Sequence, residues 1–343
     1  MKFDTLIIGG GLAGLTCGIR LQKNGVKCAI VSTGQSALHF SSGSFDLLNE
    51  LADGTKVDNP VAAADKVSAN HPYAKLGDNF AYYVREAKQQ FLDCGIEVNG
   101  DAEHNHLRIT PMGTLKPTWL TFSDFTPLSS ANDIAGKKIL VVNMAGFLDF
   151  NTKFVADSFE KYGAECRISS INLPELERLR ISPTEMRSTN IARVLENEKT
   201  LEASILELTG KISGFDIVAL PAVFGLSSAA SVKKLKESLD IPVWLIPTMP
   251  PSVPGIRAQQ QLRRSFEEFG GVYMLGDTVV KADFSGNKVQ AVYSVNHRDI
   301  SFVAENFILA SGSYFSNGLV AQPDSVIEPV FGSDVDFTPG RDS

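Results

Sequence analysis

Leu6-Ile7-Ile8-Gly9-Gly10-Gly11-Leu12-Ala13-Gly14-Leu15 stands near the start of this chain, and the positions of its glycines decide the fold. A β-branched stretch at 4–8 runs into Gly9, Gly11 and Gly14, and a helix-patterned run at 12–24 follows. In that order each glycine has a separate task. The first permits a tight strand-to-helix turn, the second lets main-chain N–H groups approach a pyrophosphate, and the third lets the helix pack closely on the strand. Gly18 extends the packing face by one helical turn, Gly25 stops the helix, and 26–31 reads as a second parallel strand. Residues 1–31 therefore predict a complete βαβ unit whose helix N-terminus offers partial positive charge to phosphate. Gly9, Gly10, Gly11, Ala13 and Gly14 are the first cofactor-binding candidates. The competing reading is a glycine-rich turn without a ligand.

A dinucleotide site usually ends its second strand in an acidic residue that accepts a hydrogen bond from the adenosine ribose. Here Ser32 and Thr33 stand in that place, and a hydroxyl bonds ribose more weakly. The substitution suits a ligand without an adenosine half, such as FMN. A 2′-phosphate is disfavoured, because no Arg or Lys adjoins Ser32. Much later, Gly276-Asp277-Thr278-Val279 leads through a hairpin signal at Gly286-Asn287 to an apolar strand at 307–310 and the turn Ser311-Gly312. That order looks like the second half of a two-part flavoprotein dinucleotide domain. In such domains the valine strand meets the adenine edge through its backbone and a small turn lies against the cofactor. Ser32, Thr33, Val279, Ala310, Ser311 and Gly312 join the cofactor-binding candidates on that basis.

The 343 residues suffice for two domains. With 21% charged residues and a net charge of −7, the chain has no basic footprint for nucleic acid and is repelled by anionic membrane surfaces. Cys17, Cys28, Cys94 and Cys166 lack CxxC spacing, which points to packing residues in a reducing compartment rather than to iron–sulfur or zinc ligands. No apolar run reaches the 18 or so residues a membrane helix needs, and no basic leader precedes the first strand, so a cytoplasmic protein is expected. Between the two halves, a helix is predicted at 76–94, a strand at 138–142, a helix at 151–162, and a strand–helix–strand set at 215–220, 230–239 and 243–246. Four prolines within Pro247 to Pro254 mark a boundary. The predicted architecture is α/β: a split Rossmann-like flavin-binding domain, 1–75 and 250–343, with an inserted α/β substrate or cap domain at 76–249 and substrate closing between them.

Four stretches carry a more specific resemblance: Gln35-Ser36-Ala37-Leu38-His39-Phe40-Ser41-Ser42-Gly43-Ser44, Thr110-Pro111-Met112-Gly113-Thr114, Asn190-Ile191-Ala192-Arg193 and Pro247-Thr248-Met249-Pro250-Pro251-Ser252-Val253. Along essentially its whole length the chain resembles the B-subunit family of anaerobic glycerol-3-phosphate dehydrogenases. The resemblance implies a flavoprotein, with FMN (or FAD), that oxidises sn-glycerol 3-phosphate to dihydroxyacetone phosphate and sends electrons to membrane quinone. It implies a catalytic dimer with an A subunit, held at the inner membrane by an iron–sulfur C subunit. Members of the family also continue past the equivalent of Asp342, through a further strand and glycine-rich helix start that complete the flavin pocket.

By analogy with such folds, Ser41, Ser42, Gly43 and Ser44 line the flavin ring, where hydroxyls and N–H groups stabilise charge on the reduced form; a solvated turn is the plain alternative. His39 is the candidate base for the substrate hydroxyl, since imidazole titrates in the useful range. His71 is a weaker candidate, and His104, His106 and His297 read as loop residues without metal spacing. A phosphorylated substrate needs cations, and Arg257 is the first choice, Lys116 the second. Arg263 and Arg264 read as a solvated helix face, Trp119 and Trp244 as core. A non-catalytic relay role supporting a catalytic A subunit and a NAD(P)-linked oxidoreductase are the alternative functions.

Overall fold

The glycine fingerprint folds into the strand, turn and helix that its spacing predicts. The computed structural model describes residues 1–182 and 184–337. Lys2–Ile8 forms β1, Leu12–Lys23 forms α1 and Cys28–Ser32 forms β2. β1 and β2 pair in parallel from Thr5↔Cys28 to Ile8↔Val31. Gly9 adopts φ +114°, a conformation L side chains avoid. α1 buries Gly14, Leu15, Gly18 and Ile19, the one-sided stripe of a helix laid on a sheet. A Cβ at Gly14 would collide with the Gly9 carbonyl oxygen, so the third glycine sets how closely helix and turn approach.

The chain divides into two compact units, one made of Met1–Leu38 with the chain from Gln259 onward, the other of His39–Ala258. The sequence boundaries at 75 and 250 thus move to 38 and 258. Residues 39–75 belong to the larger unit because their partners lie there. β3 (Ser44–Phe45) pairs antiparallel with a later strand, Ser44↔Thr121. Leu48, Val57 and Ala63 form a small buried cluster against Tyr73, and the Asn105 amide donates to the carbonyls of Leu48 (2.9 Å) and Val57 (2.8 Å). Three apolar residues scattered in a Ser/Gly/Asp-rich stretch leave no periodic signal, so only the packing reveals them.

The helix expected over 76–94 is α3 (Asn79–Asp93), preceded by a short α2 (Pro72–Leu76) and a turn at Gly77 with φ +51°. β4 (Val98–Asn99) follows, then the hairpin β5 (His106–Ile109) and β6 (Leu115–Thr118), then β7 (Leu120–Phe122). β7 lies between β3 and β4. Next come β8 (Lys138–Met144), α4 (Thr152–Lys161), β9 (Glu165–Ile171), α5 (Glu177–Ile181), α6 (Ser188–Leu195), α7 (Glu198–Thr209), β10 (Ile217–Pro221), α8 (Ala230–Ser238) and β11 (Val243–Ile246). β11-β10-β8-β9 make a parallel four-stranded sheet. β10 and β11 are buried along their whole length, the apolar runs expected of parallel strands covered on both faces.

α9 (Val253–Glu268) starts inside the proline-rich stretch that the sequence marks as a boundary. Pro254 sits in its first turn, where a missing N–H breaks no helical hydrogen bond. β12 (Val272–Leu275), the hairpin β13 (Val279–Ser285) and β14 (Lys288–Ser294) about Gly286-Asn287, and β15 (Val303–Leu309) complete the smaller unit. Its parallel sheet has the order β12-β2-β1-β15. The middle strands come from the start of the chain and the outer two from its end, so the fold is α/β with a split Rossmann-like sheet. Leu6, Ile8, Ala29, Val31, Val279, Val292, Phe302 and Ala304 are its buried core on one face. On the other, a Cβ at Gly18 would come within 2.7 Å of the Phe266 ring of α9.

Candidate functional site

At the C-terminal ends of β2, β1 and β15 the main chain converges on one turn. Gly9 N donates to Val31 O at 2.9 Å, and Ala310 N donates to Ile8 O at 2.8 Å. A Cβ at Gly9 would strike the Ala310 carbonyl, and one at Gly10 would strike the Tyr273 hydroxyl and come within 2.6 Å of Ser32 Oγ. Tyr273 in turn donates to Gly10 O at 3.1 Å. Gly11 differs. It is the residue before the first turn of α1, with φ −81°, and the nearest atom to a Cβ built there is Ser36 Cβ at 3.7 Å. A Cβ at Gly9, Gly10 or Gly14 would collide with protein, whereas one at Gly11 would make only an ordinary contact. No side chain caps α1, its first turn holds no acidic residue, and Ala13 is exposed. Uncapped N–H groups carrying the positive end of the helix dipole, beside a space that a Cβ would enter, fit a phosphate group.

The neighbouring loops are tied down by hydroxyls and amides. Ser32 is buried and its Oγ donates to Gly34 O at 3.1 Å, while its carbonyl accepts from Gly276 N at 2.8 Å. The exposed Thr33 hydroxyl accepts from Thr278 Oγ1 at 3.1 Å. Val279 sends its side chain into the core and pairs through its backbone with β14. Beyond Ala310, Ser316 Oγ donates to Ser311 O at 2.7 Å, beside Gly312 at φ +87°. Two groups in this unit escaped sequence reasoning. Gln259 Oε1 accepts from Ser36 Oγ at 2.8 Å and so holds the loop after β2. Asp277 accepts from Ser294 Oγ (2.6 Å), His297 Nδ1 (2.8 Å), Thr278 N (2.9 Å) and Asn296 N (3.0 Å). Burial alone would raise the Asp277 pKa, but these donors, Ser294 foremost, hold it below the ordinary carboxylate value. His297, read from sequence as a loop residue, is thereby a support for the base of the hairpin. Its spacing from Asp277 carries no motif that would have flagged it.

The remaining candidates lie in the larger unit. His39 is half-buried in a 3₁₀ turn, its carbonyl accepting from Ser252 N at 2.7 Å. Burial holds its pKa below the ordinary 6.5, so the ring is neutral at pH 7. Ser41 Oγ accepts from Gly43 N at 3.0 Å, and Gly43 lies flat against the Phe125 ring at φ +81°. Ser42 is half-buried, and Ser44 begins β3, so the serine run is an ordered turn entering a strand rather than a solvated loop.

The first-choice phosphate ligand is already paired. Arg257 is 5% exposed, and its Nη2 donates to Asp124 Oδ1 at 2.7 Å and Oδ2 at 2.5 Å while Nη1 donates to Gly225 O. A buried bidentate pair of this kind is a structural fixture, so Arg257 anchors the start of α9 instead of facing a ligand. Lys116 is partly exposed and sits 2.5 Å from Asp46 Oδ2. Arg263 pairs with Glu267 and lies over the Tyr273 ring at 4.8 Å. Trp119 and Trp244 are both buried. Among the described residues no helix is long and apolar enough to cross a membrane.

Comparison with known proteins bears on this geometry. The FAD binding domain family matches residues 4–342. The anaerobic glycerol-3-phosphate dehydrogenase B subunit of Yersinia enterocolitica is 43% identical over 99% of this chain and 82% of its own length. The protein of that name from Pectobacterium atrosepticum is 43% identical over 100% of this chain and 82% of its own. The chain belongs to the FAD-binding domain family and to this B-subunit family. It is a flavoprotein by that membership. Solved structures similar to it include 3-ketosteroid delta1-dehydrogenase from Sterolibacterium denitrificans, at 12% identity and a TM-score of 0.41 over 91% of this chain and 48% of that one. Glycine oxidase from Geobacillus kaustophilus has 12% identity and a TM-score of 0.34, over 93% and 59%. The chain spans about half the length of these solved proteins.

Proposed function

We propose that this chain is the flavin-bearing subunit of a complex that oxidises sn-glycerol 3-phosphate to dihydroxyacetone phosphate and passes the electrons towards a membrane quinone. The observation that carries the reading is the uncapped start of α1 behind Gly11, in a chain 43% identical over almost all of its length to dehydrogenase subunits of that name. Bound flavin, FAD or FMN, supplies the two-electron acceptor for the hydride on substrate C2. The main-chain N–H groups of the first turn of α1 hold the cofactor phosphate, and Gly9 and Gly14 keep that turn closed against β15 and α1. His39 accepts the proton of the C2 hydroxyl, since its burial keeps the imidazole neutral at pH 7. Two partners, an A subunit and an iron–sulfur C subunit, take the electrons onward and hold the chain at the inner membrane.

A second reading draws on Arg257, whose guanidinium is buried and held by Asp124. In it, the A subunit performs the oxidation and this chain relays electrons. Adding glycerol 3-phosphate anaerobically to the purified flavin-loaded chain separates the two. Loss of visible flavin absorbance in the chain alone supports oxidation here, and loss only after the A subunit is supplied supports the relay. A protein that purifies without flavin and takes up none overturns both.

A further inference from the structure

Arg108, in the larger unit, is a buried cation with bare nitrogens. It is 9% exposed, and both Nε and Nη1 are sealed from solvent with no hydrogen-bond partner among the described residues. The contrast with Arg257 is direct: that guanidinium, buried to a similar degree, has a bidentate carboxylate and a carbonyl. Guanidinium keeps its charge in proteins, and an uncompensated buried charge is strongly unfavourable. Burial draws the Arg108 pKa down while the Asp46 carboxylate pulls it up, but Asp46 makes its hydrogen bonds elsewhere. It takes Lys116 Nζ at 2.5 Å and Thr118 Oγ1 at 2.8 Å.

The hairpin places a second cation beside Arg108. In the antiparallel pairing of β5 with β6, Arg108 stands opposite Lys116 and His106 opposite Thr118, and the two-residue alternation puts all four on one face. Lys116 is 45% exposed and Asp46 35% exposed, so their ion pair is of the weak, solvent-screened kind and opens at little expense.

We propose that Arg108, with Lys116 beside it, is a phosphate-monoester site that takes the phosphate of sn-glycerol 3-phosphate; the identity of that substrate rests on the proposed function. Guanidinium supplies charged N–H donors to phosphate oxygens, and Lys116 exchanges Asp46 for the dianion. Asp46 is then a competitor, which gives the two residues opposite signs in a binding experiment.

The experiment is calorimetric titration of the flavin-loaded chain with inorganic phosphate, glycerol 3-phosphate and glycerol. Both phosphates bind and glycerol does not. Arg108→Gln weakens phosphate binding by about tenfold to 150-fold, the range for a charged hydrogen bond of ~1.5–3 kcal/mol, and Arg108→Lys restores part of the loss. Asp46→Asn tightens it severalfold, an effect no folding defect produces. Phosphate affinity unchanged in a folded Arg108→Gln, or weakened in Asp46→Asn, overturns the site. The substrate reading fails separately. If phosphate binds through Arg108 but glycerol 3-phosphate never reduces the flavin, even with the A subunit present, the anion site stands without that substrate. If reduction continues in Arg108→Gln with unchanged KM, the substrate stands without the site.

Discussion

Replacing Gly11 by alanine separates cofactor binding from folding. Its backbone, φ −81° and ψ −169°, suits alanine, and the nearest atom to the new Cβ is 3.7 Å away. The apo protein therefore loses only the small preference for glycine over alanine before a helix, under about 1 kcal/mol. The methyl group nevertheless enters the space over the uncapped first turn of α1, and the phosphate loses one or two charge-assisted N–H bonds. At ~1.5–3 kcal/mol, the flavin Kd rises roughly tenfold to 150-fold. Gly9→Ala is the contrast: its φ of +114° costs about 1–3 kcal/mol for an L residue, and the Cβ meets the main chain of Ala310, which cannot swing aside. The assay pairs flavin-fluorescence titration with thermal melting of the apo proteins. Gly11→Ala melts close to wild type and binds flavin poorly, whereas Gly9→Ala melts well below it. Wild-type flavin affinity in Gly11→Ala, or equal melting losses in both variants, refutes the reasoning.

Arg257→Met leaves Asp124 buried and unpaired, so urea denaturation should register a loss of about 3–5 kcal/mol. The double variant Arg257→Met/Asp124→Leu recovers most of it, and a double variant as unstable as the single shows the pair itself to be needed. His39 and His106 both have pKa values lowered by burial, so the unfolded chain binds more protons below pH 6.5. Their contribution to stability is complete above that pH and declines as pH falls below it; in a His39→Gln/His106→Gln variant the urea midpoint should fall less over that descent. Asp277 has a lowered pKa, so its contribution is present above its ordinary value of 3.8 and is lost as pH falls through the lower folded value. Asp277→Asn weakens the bonds to Ser294 and His297 at a cost of ~1–3 kcal/mol, measurable by thermal melting at pH 7 and shrinking at pH 3.

Residues 1–31 and 276–312 disclosed the smaller unit because their signals are local: glycine spacing, β-branched strands and a two-residue hairpin turn. The same holds for β11, whose bounds match the predicted 243–246, since a short apolar run between prolines has one reading. Residues 39–75 belong to the larger unit, contrary to the sequence expectation, because their attachment depends on β7 and Asn105, more than 45 residues away along the chain for each contact named. The start of α9 was hidden by prolines that a first turn accommodates.

The sequence by itself determined that a tight strand-to-helix turn stands at Gly9–Gly14, since only glycine satisfies the backbone angle at Gly9 and the close approaches at Gly9, Gly10 and Gly14. Which cations are free was decided by tertiary structure alone. Arg257 and Arg108 are equivalent letters in a sequence, but the fold brings Asp124 to the first and leaves two nitrogens of the second bare. Charge compensation is a property of distance through space, and sequence spacing carries none of it.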